Sequence, residues 1–471
     1  MGVNVKWGLT AAIAVIGALA LPGKPAQSTT LADALVQAYQ TNPQLAAQQA
    51  ALRSADEQVI IARAALLPTL GQRWSLSKTK EYGPSSPFNP PTNDWQMFLR
   101  TTATLQLYDG GADRLTVESR RMTVLAARQA YKSVEQQVLF NTVEAYMNVR
   151  RDEQFVRLAV NNVRVLREQV RAAKDRFEVG EVTRTDVSLA EARLARAQST
   201  LEVNKGALER SRQSYQAVVG TLPRNLRNPP PPPQIPGTAK KAEAVAIKKH
   251  PRVMEAQFAA KAAELTAKAT SKNRHPTITG QVQHTMQRRA GANTLATNDV
   301  ELSFNGDWTF YQGGALDARR RGAVADLQQR LALVQQAGYI TRQSLNTAYS
   351  NLIAAGASIT SNRKQVRASQ IAFEGVKEEA KLGARTTLDT LDAEQELLTA
   401  RSNLVTAIRD QYVAVYQVLA EMGLLTAEHL NLGVEIYNPD VYTRAVTREQ
   451  IRPLDDKRLQ IFNKIKRRRG E

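Results

Sequence analysis

The sequence predicts a mainly α-helical protein with a β-barrel part, built as an internal two-fold repeat. Three observations carry this: a very long break-free stretch, a second copy of it, and two short regions where the apolar period changes from helical to alternating. The first stretch runs from Gly111 to Gly180 with no proline or glycine between its ends. It is rich in good helix formers. As one helix it would be a rod of roughly 100 Å at about 1.5 Å per residue. Its last third carries a seam of Val156, Ala159, Val163, Leu166, Val170, Ala173 and Phe177. Alternating steps of three and four make a partner-facing stripe, so the rod must lie against other rods.

The copy lies between Gly314 and Gly383, at an offset of 203. The seam returns as Ile359, Asn362, Val366, Ser369, Phe373, Val376 and Ala380, and the flanks agree: YDGGADR with YQGGALD, VGEVTRTDV with LGARTTLDT. At an offset of 208, Asn42-Pro43 answers His250-Pro251, and Pro68-Thr69-Leu70 answers Pro276-Thr277-Ile278. Agreement at separated landmarks indicates a duplication.

In chain order, residues 1–28 read as a signal peptide. Lys6 gives the basic start, an apolar run follows, and Ala18-Leu19-Ala20 or Ala26-Gln27-Ser28 offers the cleavage site. The first repeat, 29–223, opens with helices broken at Asn42-Pro43 and ended by Pro68. Residues 69–78 and 95–108 then read as a hairpin. Trp95, Met97, Leu99, Ala103, Leu105 and Leu107 alternate with Gln96, Arg100, Thr102, Thr104, Gln106 and Tyr108. The rod follows, then a turn at Gly180 and a returning helix over 183–219. A Pro-rich linker at 224–238, with five consecutive prolines from Pro229, reads as an extended spacer. The second repeat, 239–424, runs through the same series, with Val300, Leu302, Phe304, Trp308 and Phe310 as its alternating apolar positions and a returning helix over 386–422. Residues 425–471 leave the repeat: LNLGVEIYNPDVY reads as a short irregular element, and the tail is basic and expected to be disordered.

The strand faces admit two readings, a soluble sheet packed on a core or a membrane barrel with its apolar face in lipid. The rods offer no face for a soluble sheet to pack on, and a signal peptide precedes them, so the barrel is favoured. Four strands per chain cannot close, and lipid does not tolerate open edges. Three chains supply twelve strands. Opening and returning helices, stacked end to end, would make a second rod beside the first, so three chains also give a tube of twelve rods.

The chain has 471 residues, a net charge of +19 and no cysteine. There is therefore no disulfide framework. The charge is spread along the helices, with Lys464, Lys466, Arg467, Arg468 and Arg469 clustered in the tail, and no nucleic-acid motif accompanies it. His250, His275, His284 and His429 show no paired ligand spacing, and no P-loop, GxSxG or dinucleotide fingerprint is present. No cofactor and no enzymatic activity are expected.

GEVTRTDVSLAEARLARAQSTL and GARTTLDTLDAEQELLTARSNL, with the YDGG and YQGG segments, resemble the TolC family of outer-membrane channels over residues from about 30 to about 445. The resemblance implies a homotrimeric duct. Its 12-stranded barrel would sit in outer-membrane lipid and its 12-helix tunnel would cross the periplasm. A periplasmic adaptor and an inner-membrane ABC exporter or RND-type pump would be its partners, with drugs or type I secreted proteins as cargo. Gly180, Thr183, Gly383 and Thr386 become adaptor-contact turns. Arg385 matches a family arginine that ties to the first turn, here Thr185 and Asp186, at a periplasmic gate. Asp389 and Asp392 match the entrance carboxylates and form a candidate cation ring; at i,i+3 they share a helix face. Where the family has a tyrosine in the latch, this chain has Ala380, so that link should be missing or replaced. The competing reading is a non-conducting periplasmic coiled-coil scaffold that binds envelope partners, for which the alternating Trp, Phe and Leu strands have no use.

Overall fold

The structure is a computed structural model, and it describes residues 29–80, 82, 93–290 and 295–448. The expected signal peptide and the basic tail lie outside the described residues, as do most of the two strand-connecting loops.

Each repeat starts with a broken helix. In the first, α1 (Leu31–Thr41) begins at Thr30, whose side chain and Asp33 cap each other, and α2 (Pro43–Ala64) begins with proline in its first turn. Strands β1 (Thr69–Lys80) and β2 (Asn93–Tyr108) follow, then the rod α3 (Ala112–Glu178) and the returning helix α4 (Arg184–Val219). The second repeat supplies α5 (Ala239–Lys249), α6 (Pro251–Lys272), β3 (Thr277–Ala290), β4 (Leu295–Asp307), the rod α7 (Ala315–Lys381) and α8 (Thr387–Glu421). Both rods have 67 residues. On the first seam Ala159, Val163, Leu166, Val170 and Ala173 are buried, while Phe177 at the tip is 45% exposed.

The stacking of short helices into a second rod has a visible joint. The end of α4 meets the break between α1 and α2, where Asn42 Nδ2 donates to the Val218 carbonyl at 3.0 Å and Thr41 Oγ1 to that of Val219 at 3.1 Å. These bonds satisfy carbonyls that a helix end leaves unpaired. The main core gathers here, around fully buried Leu45, Leu139, Val143, Tyr146, Tyr215, Leu419 and Leu425.

The sheet is antiparallel throughout, in the order β1-β2-β3-β4, so β2 and β3 join the two repeats. β1 and β4 are open edges. The helical layer has the same logic: α3 packs on α2, α4, α6 and α8, and α7 on α5, α6 and α8, with α7 at one margin and α2 with α4 at the other. Apolar side chains stand exposed on these margins, including Val203 at 64%, Tyr339 at 68% and Ile353 at 70%.

Four expectations are corrected. β4 ends at Asp307, so Trp308 and Phe310 are not strand residues. The Trp308 indole donates to the Arg274 carbonyl just past α6 (3.1 Å), its ring lies edge-on to Phe310, and the chain turns out of the ladder. Tyr108 leaves the polar face, because the register shifts between Gln106 and Tyr108 and brings Tyr108 opposite Ile278. The linker is no free spacer. Polyproline backbone has no internal hydrogen bonds, and its carbonyls accept from tyrosines on the rods and returning helices: Tyr146 to Arg227 (2.7 Å), Tyr412 to Pro230 (3.2 Å) and Tyr349 to Pro236 (2.6 Å). Finally, NPDVY is not irregular but opens a helix, α9 (Pro439–Arg448), with Asn438 accepting from the Asp440 amide. α9 is tied to α2 by Tyr442 with Glu57 and to α3 by Arg128 with Asp440.

Candidate functional site

Two regions carry chemistry, at opposite ends of the molecule. The first is the tip, where each rod turns back. Gly180 has φ +79° and Gly383 φ +78°, a left-handed conformation that glycine adopts without strain. The turns match bond for bond at the repeat offset. Gly180 N donates to Phe177 O and Glu181 N to Arg176 O; Gly383 N donates to Ala380 O and Ala384 N to Glu379 O. Each returning helix then starts at a capping box, Thr183 with Asp186 and Thr386 with Asp389.

These boxes decide what the acids do. Asp186 Oδ2 accepts from Thr183 Oγ1 (2.7 Å) and its backbone amide (2.9 Å), and both bonds hold its carboxyl below the usual range, the side-chain bond most. Asp389 does the same with the Thr386 amide (3.0 Å) and hydroxyl (2.9 Å), the amide being the larger influence and the nearby Arg385 a lesser one. Arg385 Nε donates to Glu379 Oε2 at 2.9 Å, within its own turn. The structure therefore does not bring Arg385 to Thr185 or Asp186 inside one protomer; exposed Thr185 stands on the first turn of α4. Asp392 has a different partner again, the Arg193 guanidinium of α4 at 2.8 Å. The two acids share a helix but one is folded onto its cap and the other is drawn to the opposite repeat.

Sequence reasoning missed the residues that join the repeats here. Lys174 and Glu191 pair at 2.7 Å within the first hairpin. Their counterparts at the offset of 203 are Lys377 and Glu394, both in the sequence to be read. Yet Glu394 turns to α3 and accepts from Gln169 Nε2 at 2.7 Å. Burial raises its carboxyl pKa, opposed by that bond and by Lys377. Buried Leu391 enters between α3 and α4, against Val163, Leu166 and Ala197. So near the tip α8 is attached to the first repeat by one apolar plug and two polar links, while farther along Arg409 bonds Asn148 and Glu144 of α3. Ala380 lines a groove of about 300 Å³ between α3 and the second repeat, with Gln169, Ala173, Phe373 and Thr390. No side chain at 380 reaches across it.

The second region is the sheet. Its register puts Leu70, Trp74, Leu76, Met97, Leu99, Val282, Val300, Leu302 and Phe304 on one face. Most are exposed: Trp74 at 76%, Val300 at 74% and Phe304 at 68%. The other face carries Arg73, Ser75, Arg100, Thr102, Gln283, Thr285, Asp299 and Glu301. At the end nearest the rods, Trp308, Phe310 and Tyr311 are also exposed. A sheet with one bare apolar face, polar on the other and flanked by aromatics, has the composition of a barrel wall in lipid. Among the described residues no helix is long and apolar enough to cross a membrane, and no three His, Asp or Glu side chains gather as a metal centre.

The family model for outer membrane efflux proteins matches residues 34–221 and 244–424, one segment in each repeat. The chain belongs to the outer membrane efflux protein family. It is 34% identical over 446 residues to the outer membrane efflux protein BepC of Brucella suis, covering 93% of this chain and 95% of that one. It is 24% identical over 434 residues to the outer membrane protein TolC of Escherichia coli, covering 86% and 85% of the two chains. Among solved structures, the CmeC outer membrane channel of Campylobacter jejuni superposes with a TM-score of 0.75 at 14% identity, covering 89% of each chain. That likeness confirms the fold class, helical tunnel with β-barrel, and the family membership confirms the resemblance to TolC. Members of this family are outer-membrane efflux proteins, so the outer membrane is where the chain works.

Proposed function

We propose that the protein is the exit duct of a tripartite export system, a homotrimer that passes small molecules or secreted proteins from an inner-membrane pump and periplasmic adaptor to the exterior. The observation that carries this reading is the open edge. β1 and β4 leave unpaired backbone on a sheet whose exposed face is apolar, and such edges are not tolerated in lipid. Three copies close twelve strands, and the same rotation brings α7 against α2 and α4 of the next copy, covering their exposed apolar side chains. The polar face then lines the exit.

At the tip, closure is held within a protomer by Arg193–Asp392 and Gln169–Glu394. Between protomers, Arg385 meets Thr185 and Asp186 of the neighbour, and the outward oxygens of Asp389 and Asp392 form the cation ring. The turns at Gly180, Thr183, Gly383 and Thr386 present the adaptor contacts. Opening moves the α7–α8 hairpin away from α3 and α4. Ala380 supports this division: with no latch side chain at that position, the links at Asp392 and Glu394 take over its work.

The face assignment is tested by a pair of substitutions one residue apart. Leu302→Arg places a charge near mid-strand on the lipid face, at a cost of about 2–4 kcal/mol, and abolishes insertion into vesicles. Ser303→Arg points into the lumen and leaves insertion and trimer mass unchanged. Equal tolerance of both would contradict the barrel.

A further inference from the structure

The strands sort their charges by face and by end. On the apolar face the lysines and arginines are Lys78 and Lys80 of β1 and Arg288 of β3, all exposed. All three lie at the strand ends far from the rods. No carboxylate of the described strand residues shares that face, since alternation puts Asp94, Asp299, Glu301 and Asp307 on the other. The end near the rods shows no counterpart: there the same face carries Leu70, Leu105, Ile278 and Phe304 without a charge. Two of the three cations sit by aromatic rings. Lys78 Nζ lies 5.4 Å from the centre of the Trp95 ring, and Lys80 Nζ 4.7 Å from that of Tyr82. Lys78 faces Trp95, and Met97, the next residue of β2 on that face toward the rods, faces Arg288. Lys78 and Arg288 thus flank β2, about 12 Å apart at two strand spacings and a two-residue offset along the strand.

We propose that Lys78, Lys80 and Arg288, with Trp95 and Tyr82, form a headgroup site for a phosphorylated, acylated glycolipid of the outer leaflet. The proposal rests on the barrel reading above. Cations on a lipid-facing surface are tolerated only near its rim, where their stems lie on apolar surface and their heads reach the interface. Three positive groups with no carboxylate among them need anions there. Their separation across β2 suits two phosphates on one sugar headgroup, while Trp74, Leu76 and Met97 directly beneath offer acyl chains an apolar bed. Confinement to one end matches a bilayer whose two leaflets differ in headgroup chemistry, which a phospholipid present in both leaflets would not explain.

Native mass spectrometry of the full-length trimer, released from micelles containing bisphosphorylated lipid A, its dephosphorylated form or phosphatidylglycerol, tests this. The bisphosphorylated glycolipid stays bound. Lys78→Gln/Lys80→Gln/Arg288→Gln lowers its retention about tenfold or more, at roughly fivefold per basic residue near an anionic surface, and Lys78→Arg/Lys80→Arg restores it. Retention unchanged by the triple substitution or by loss of the phosphates would overturn the site. Phosphatidylglycerol held as well as the bisphosphorylated glycolipid would reduce it to a general anionic rim and overturn the glycolipid assignment. A wild-type protein that forms no trimer, visible before any lipid is added, would contradict the duct reading instead.

Discussion

Glu191 and Glu394 began as the same residue of a duplicated unit and now do different work. Glu191 closes its own hairpin through Lys174, while Glu394 is buried against the other repeat and accepts from Gln169. Burial raises the Glu394 carboxyl above its ordinary value of 4.5. The sign follows from which form the contact prefers. The protonated acid suits the buried site, so the packing of Glu394 against α3 is most favourable below the ordinary value and less so as pH rises through the raised one, burial outweighing the Gln169 bond, which by itself favours the carboxylate. Asp186 and Asp389 do not blur this, because their caps hold them below the usual range. Acidifying the tip side through the raised value to the ordinary 4.5 should therefore lower the open probability of the wild-type channel, and Glu394→Gln should flatten that response. Open probability against pH in both proteins checks it; an undiminished acid response in Glu394→Gln would place the titrating group elsewhere. None of this was legible in the sequence. The offset predicts Lys377–Glu394 by analogy with Lys174–Glu191, and the cross-repeat turn of Glu394, like the Arg193–Asp392 pair, depends on α8 lying against α3 and α4.

At the scale of elements, the repeats differ most usefully at their helix breaks. Asn42 and His250 occupy the same place, each accepting from the amide two residues on: Gln44 N at 2.9 Å and Arg252 N at 3.2 Å. Asparagine does this without titrating. His250 is buried, and burial, with Arg252 beside it, lowers its pKa from 6.5 to about 4. The unfolded chain takes up the proton first, so this group's stability contribution is present above the ordinary value and is lost as pH falls toward about 4. The full loss is on the order of 3 kcal/mol for a shift of this size. His250→Asn, borrowing the first repeat's solution, should raise the thermal midpoint of the helical body at pH 5 relative to wild type while changing little at pH 8. Equal acid sensitivity in both proteins would refute the assignment. Elements were the most readable level of this sequence: proline and glycine marked the breaks and tips, and 3.6- and 2-residue periods separated rods from strands. What escaped were departures decided by tertiary partners. The Arg274 carbonyl captures Trp308, the ladder shifts at Gln106, and tyrosines from three separate helices pin the linker.

For the molecule as a whole, the open margins of sheet and helical layer coincide, and that coincidence is what the duplication prepares. Each repeat contributes one hairpin and one pair of rods, so closure in the membrane and closure in the tunnel need the same number of chains. The twelve-fold count was accessible from the sequence, because four strands and four rods per chain were countable there. The state of the tip was not, since it turns on which acids are already paired: Asp392 with Arg193, Asp389 with its cap. On the proposed trimeric reading, those pairings make the tip a set of weak links around an acidic ring, a construction that an adaptor would open and divalent cations would tighten.

Planar-bilayer conductance of the purified trimer tests this most directly, with wild type compared to Asp389→Ala/Asp392→Ala, with and without divalent cation on the tip side. The wild type should show a small, cation-selective conductance that divalent cations block. The double variant, having lost both the ring and the Arg193 link, should conduct more, select less and ignore divalent cations. Inserted trimers that never conduct, or that conduct identically in both proteins under both conditions, would contradict a duct gated at this tip.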